Sequence, residues 1–464
     1  MDRRSLIVAG VLGVALLAAI GVGIGLSAGG GGSNAVKTPS ASSTTTSSTV
    51  ASSTTTSSTP IVPPTTVNVP KPSVVITPTT GATPPTTVPG GQPGITPTQI
   101  RVAVISDNAA VAHGVETWAS TLNQAGGLAN RTVKVDAHLV EGPAGYAAAV
   151  ASACTTDFAV VGSSSPSDGQ TGGFACGIPE LATRVYTAAH QALTNSYAVI
   201  PSRSGTVAVG AFRQLLTTVS GCCRQFVLTP IGEPTHGIVQ AQTRGAAAIG
   251  FTTAATPAVP ATAGPAEYKK LVAELVADKA TFARSGLGAA STVLLRKAAA
   301  ENPGSSVVAA WYCDQTCADP PLLSEGGAAV QSQYVDVPAN PLSDQGSVPA
   351  IATYVQASQQ FGGPTLAGLE SNAAGLLFQQ VVKQVVASNG ANGITRSGVL
   401  AAVATVHSFT AGGILGTTDV GARQPTGCFA LLQVQSGQLA RVFPTAPGQL
   451  SCGSQNLQTV PKGG

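Results

Sequence analysis

The stretch Gly162-Ser163-Ser164-Ser165-Pro166-Ser167 combines small residues and hydroxyls directly after the apolar run Phe158 to Val161. A strand ending in such a loop and opening a helix would offer hydroxyls and backbone N–H groups to a carboxylate, with the helix dipole adding attraction. The same residues also suit an N-cap made by Ser165 or Ser167, with Pro166 near the first turn. Either use predicts a helix that starts at this loop. Glu370 reads as a partner for the dipole at the start of a late helix, outside any ligand cleft, and Trp311 reads as core. The folded part holds no G-x-S-x-G, H-E-x-x-H or phosphate-loop motif, and its five histidines lack triad spacing. The chemistry expected is therefore binding, not catalysis, and no cofactor is expected.

Charged residues make up 9% of the 464 and the net charge is +3 without a block of one sign. Phosphate backbones need clustered Lys and Arg, so nucleic acid is not an expected partner. Aromatics at 4% advertise no stacking platform for bases or sugars. All eight cysteines fall between Cys154 and Cys452, and their spacing matches no paired C-x-x-C zinc site, so no metal is expected. An even count behind an export-like segment reads as disulfides formed in an oxidising compartment.

These side chains need a scaffold. Short apolar strands alternate with helical patterns: Ile100 to Ile105, then Val115, Trp118, Ala119 and Leu122, then Val133 to Val140, Tyr146 to Ala153, and Phe158 to Val161. A second series runs through Phe226-Val227-Leu228, Tyr268 to Val276 and Ser306 to Trp311. Such alternation predicts α/β architecture with parallel sheets covered on both faces, and ligands at the carboxyl ends of the strands.

The join after the first helix reads Leu122-Asn123-Gln124-Ala125-Gly126-Gly127-Leu128-Ala129-Asn130-Arg131. Two glycines can stop the helix because they reach φ > 0 without a Cβ clash. The run closely resembles the N-x-A-G-G-(I/L)-x-x-R signature of type I periplasmic binding proteins, in particular the branched-chain amino-acid (leucine-binding-like) receptors that feed ABC importers. The resemblance extends from Gln99 to Val442 and takes in Val160 to Ser165, Leu322-Leu323, Gln333-Tyr334-Val335 and Ala373 to Leu377.

The resemblance implies two doubly wound parallel-sheet lobes joined by three crossings near Ile200, Val337 and Val420. Lobe I would comprise 99–200 and 338–420, lobe II 201–337 and 421–453, and 454–464 would be a C-terminal tail. It also implies ligand contacts from Ser164, Ser165 and Ser167, and a second carboxylate clamp at Ala188 and Ala189. There Ala189 stands where the family usually has threonine, which removes a hydroxyl. His236-Gly237 falls where the family has Tyr-Gly, and Asp314 falls near its acidic partner for the ligand ammonium. His236 is equally readable as a satisfied surface histidine, and Asp314 as the cap of a turn between Cys313 and Cys317. A Cys154–Cys176 disulfide is implied, with Cys428–Cys452 the next pair expected; Cys222, Cys223, Cys313 and Cys317 stay unassigned.

Arg3 and Arg4 precede an uncharged run from Leu6 to Leu26, about 30 Å long as a helix. Residues 1–28 are therefore expected to be a transmembrane anchor or, alternatively, a signal cleaved after Leu26-Ser27-Ala28. Residues 29–98 are rich in Ser, Thr and Pro and repeat Ser42 to Thr49 at Ser52 to Thr59. They read as a disordered linker with a reach of about 45 Å. The expected function is an extracytoplasmic solute-binding protein that captures a small amino-acid-like ligand for an ABC permease. The alternative is a tethered ligand sensor or cell-wall interaction module.

Overall fold

The computed structural model describes residues 91–461 other than Glu233 and Asp319. The expected anchor or signal, and the linker up to residue 90, lie outside the described residues. Among the described residues no helix is long and apolar enough to cross a membrane.

The first sheet is built from β1 (Gln99–Ser106), α1 (Ala109–Gln124), β2 (Thr132–Leu139), α2 (Gly142–Thr156), β3 (Ala159–Val161), β4 (Glu180–Ala182), α3 (Ala188–Gln191) and β5 (Ser196–Ala198). Its strands run parallel in the order β2-β1-β3-β4-β5. Ile100, Val102 and Val104 of β1 bury one face, and Ala103 and Ile105 bury the other against Tyr146, Val150 and Phe174. Burial on both faces is why Val102 to Ile105 reads as a continuous apolar run.

The Ala-Gly-Gly join works as its residue types predict. Gly126 and Gly127 adopt φ of 99° and 82°, and the Gly127 N–H closes the helix on the Leu122 carbonyl at 2.9 Å. A Cβ on Gly127 would lie 2.2 Å from the Arg131 carbonyl oxygen. Asn123 exchanges two 2.8 Å hydrogen bonds with the Val133 backbone, tying α1 to β2. The buried Arg131 donates to the carbonyls of Thr96 and Ala129.

After β5 the chain enters β6 (Thr206–Ala208), α4 (Gly210–Thr218), β7 (Arg224–Pro230), α5 (Thr235–Ala248), β8 (Thr252–Ala255), β9 (Ala258–Val259), α6 (Pro265–Ala277), β10 (Phe282–Ser285), α7 (Gly288–Ala300), β11 (Ala310–Cys313), α8 (Pro321–Gly326) and β12 (Gln333–Val337). It then adds α9 (Pro349–Ala357), α10 (Leu366–Asn389) and α11 (Arg396–Val403) to the first lobe, and returns with β13 (Ala430–Gln435), β14 (Gln438–Phe443) and β15 (Leu457–Thr459). The second sheet runs β14-β13-β12-β11-β10-β7-β8, parallel from β12 to β8, with β13 and β14 antiparallel at its edge. Phe226, Tyr268, Leu271 and Trp311 fill one of its faces, and Phe212, Phe251, Phe282 and Tyr312 the other.

α10 packs on α1 at close range: a Cβ on Gly375 would lie 2.4 Å from the Trp118 ring. A buried ion pair between Arg441 of β14 and Asp344, shared with Asn340, ties the second lobe to the segment leaving β12. Two local expectations change. Ser306 and Val307 belong to a 3-10 helix, Pro303–Val307, capped by Asn302, and the strand begins only at Ala310. The stretch expected as a C-terminal tail instead supplies β15, which pairs antiparallel with β6. The cysteines pair as Cys154–Cys176, Cys222–Cys223, Cys313–Cys317 and Cys428–Cys452, and none is free.

Candidate functional site

The carboxyl ends of the first-sheet strands face a cavity of about 440 Å³. Asp107 and Asn108 follow β1, Ser164 follows β3, and Thr183, Arg184 and Tyr186 follow β4; Leu366, Ala367 and Glu370 come from the start of α10. The second lobe contributes Gln315 and Thr316, just after β11. Two helix N-termini thus border the cavity. α1 is capped by the Asn108 side chain, which accepts from the Ala110 N–H at 2.9 Å, and α10 by Thr365, which accepts from the Gly368 N–H at 3.0 Å. Their dipoles favour negative charge there.

Arg184 and Glu370 form an ion pair at 2.7 Å with side chains 14% and 5% exposed. Burial alone would pull the guanidinium down, but the charge of Glu370, Tyr186 and the bond itself outweigh it and hold Arg184 above its usual value. Glu370 therefore stands in the cleft wall, not outside it. Its pairing with Arg184 depends on α10 packing over β4, which a helix-start position does not reveal.

No α-helix opens at the serine loop. Residues 166–169 turn, and a 3-10 helix, Thr171–Cys176, follows. Ser165 is buried and accepts from the Ser167 N–H at 3.2 Å, so it serves the turn, as does Ser167. Only Ser164 of the three reaches the cavity, with its Oγ 3.3 Å from the Tyr186 hydroxyl. Ala188 and Ala189 are exposed in a one-turn helix capped by Thr187 and do not line the cavity; Arg184 and Tyr186 do. His236 sits in the first turn of α5, its Nδ1 2.9 Å from the Pro230 carbonyl oxygen, also outside the lining. Asp314 caps the 3-10 helix Gln315–Cys317, its Oδ1 accepting from the Thr316 N–H at 3.1 Å and hydroxyl at 2.6 Å. Its charge is nonetheless felt by Arg184 and by Asp336. Burial raises Asp336 to about 6, against the hydrogen bond it accepts from the Tyr312 hydroxyl at 2.5 Å.

Beneath the wall lies a buried ionic cluster. His190 bonds Glu180 through Nε2 and stands 3.5 Å from Asp168 through Nδ1, and all three are 2% exposed or less. Glu180 also accepts from the Ser163 and Ser196 hydroxyls at 2.5 Å each. Asp168 accepts from the backbone N–H of Tyr186 at 2.6 Å and of Thr187 at 3.0 Å, so the cluster orients the loop that carries Tyr186. Burial would lower His190, but the charges of Glu180 and Asp168 carry it up to about 9. Among the described residues no His, Cys, Asp and Glu cluster could hold a metal ion.

No family model and no curated protein matches the sequence. Solved structures do match. A substrate-binding periplasmic protein from Ralstonia solanacearum superposes with a TM-score of 0.61 at 16% identity, over 74% of this chain and 100% of that one. A leucine-binding protein from Thermotoga maritima gives 0.60 at 13% identity, over 74% and 97%. An ABC-transporter solute-binding protein from R. palustris in complex with benzoate gives 0.59 at 12% identity, over 78% and 99%. The chain has the α/β fold of type I periplasmic binding proteins, a group that includes the branched-chain amino-acid receptors.

Proposed function

We propose that this protein is an extracytoplasmic solute-binding protein that captures a small polar ligand, an amino acid or related carboxylate, between its two lobes and presents it to an ABC importer. The observation that carries the reading is the cavity wall itself. A buried Arg184–Glu370 pair, the starts of α1 and α10 and the Ser164 and Tyr186 hydroxyls stand on one lobe, and Gln315 and Thr316 face them from the other. A carboxylate is attracted by the helix starts and by Arg184, and an ammonium by Glu370 and Asp107. A ligand touching both walls favours the closed arrangement, which is how a hinged pair of lobes signals occupancy. Neighbours with the same fold are named for leucine, benzoate and fatty acids, so a solute-sized ligand suits the scaffold.

Disulfide pairing suits an oxidising compartment, and we place the folded part outside the cytoplasm, held there by the N-terminal segment. Protease added to intact cells after wall removal should degrade it; protection until lysis would overturn the placement. The ligand reading is tested by a thermal-shift screen of amino acids, amides, short peptides and aromatic acids, since a compound that binds only the folded state raises the melting temperature. A hit whose affinity falls at least thirtyfold in Arg184→Met supports the site. A hit bound equally by Arg184→Met and Thr316→Ala lies elsewhere, and a screen without hits favours the tethered interaction module.

A further inference from the structure

Among the described residues the second lobe reaches the cavity only through Gln315 and Thr316, two residues of a three-residue 3-10 helix. So short a helix has little hold on its own shape. Here it is closed by two backbone bonds, Cys317 N–H to the Asp314 carbonyl and Ala318 N–H to the Gln315 carbonyl, each 2.9 Å, and by the Asp314 cap on Thr316. It is also bracketed by a disulfide. Cys313 and Cys317 are both fully buried, with Cα atoms 5.9 Å apart, and Thr316 between them is exposed. The Cys317 sulfur lies 3.1 Å from the Thr292 hydroxyl of α7, within a buried cluster that includes Ala289, Val293 and Leu322. The bridge therefore fastens the loop to the lobe at one end and presents its polar middle at the other. The remaining three disulfides bracket no residue of the second-lobe wall.

We infer that Cys313 and Cys317 are positioning residues of the ligand site: their disulfide holds Gln315 and Thr316 in the cavity wall before any ligand arrives. The inference rests on the cleft reading for its functional consequence. A wall ordered in advance spares the ligand the entropy of ordering it, so affinity depends on the bridge even though neither sulfur lines the cavity.

The test uses the full chain as parent, as Cys313→Ala/Cys317→Ala, and as Cys313→Val/Cys317→Ala, which restores buried volume without the bond if the first variant folds poorly. Cys428→Ala/Cys452→Ala, whose bridge brackets no residue of the cavity wall, is the control for general loss of a bridge. Hydrogen exchange of the amides of residues 314–318, without ligand, should speed up at least about tenfold in either 313/317 variant and stay at the parent rate in the control. Unchanged protection in both 313/317 variants would overturn the positioning role. L-Leucine, L-glutamate and benzoate are then titrated by calorimetry into all four proteins. A probe that binds the parent should bind the 313/317 variants about tenfold more weakly and the control equally. Equal binding by every variant would overturn the consequence for affinity. If none of the three binds the parent, these probes do not occupy the cleft, and the exchange measurement still decides the positioning role.

Discussion

His190 offers a perturbation whose sign and size follow from the structure. The imidazole is 1% exposed, bonded to Glu180 and close to Asp168, and is carried up to about 9 from an ordinary value of 6.5. Between those two pH values the native state keeps a proton that the unfolded chain has released. The stabilisation is therefore fully present below pH 6.5 and is lost as pH rises through about 9. At about 1.4 kcal/mol per pH unit the loss is about 3 kcal/mol, a large part of a typical stability of about 5–15 kcal/mol. Urea unfolding followed by far-UV circular dichroism at pH 6.5, 7.5, 8.5 and 9.5 measures it. A Glu180→Gln/His190→Gln double variant supplies the reference, because it removes both charges while keeping hydrogen-bonding groups. The parent should lose about 3 kcal/mol across the series and the double variant much less. His190→Gln alone should be destabilised at pH 6.5 by about 3–5 kcal/mol, since Glu180 and Asp168 then share a buried site without a cation. A parent whose stability is flat from pH 6.5 to 9.5, or a double variant with the parent's slope, would refute the reasoning.

Glu370→Ala leaves the Arg184 guanidinium buried without its ion-pair partner and should cost about 3 kcal/mol in denaturant unfolding, whereas a solvent-facing helix-end residue would cost a few tenths. Ser165→Ala removes the acceptor for the Ser167 N–H and should lower stability by about 1 kcal/mol with ligand affinity kept; Ser164→Ala should do the reverse, and calorimetry beside thermal unfolding separates them. Gly375→Ala puts a methyl group 2.4 Å from the Trp118 ring and should lower stability by about 2 kcal/mol despite the gain in helix propensity; an unchanged melting temperature would show that α1 and α10 part easily.

Much of the scaffold was legible because it rests on local pattern. β1 alternates Ile100, Val102 and Val104 against Ala103 and Ile105, and burial of both faces keeps Val102 to Ile105 free of polar residues, so that run reads as a covered strand despite Arg101 near its start. The stop at Gly126-Gly127 follows from backbone sterics alone, and Asn123 finds its partner within the same join, whereas Arg131 bonds Ala129 there and also Thr96, ahead of β1. The cavity was not legible in this way. Pro166 and its serines carry the composition of a helix start, yet Asp168 spends its carboxylate on the Tyr186 and Thr187 amides and the segment turns instead. Arg184 and Glu370 lie 186 residues apart and meet only because α10 lies over β4. Residues 457–459 look like tail because β6, the edge they pair with, is some 250 residues earlier. Hydrophobic period and backbone sterics act between near neighbours and so are written along the chain. The choice of charge partner is set by which strand ends and helix starts the packed core brings within a few ångströms, and no local pattern encodes that distance.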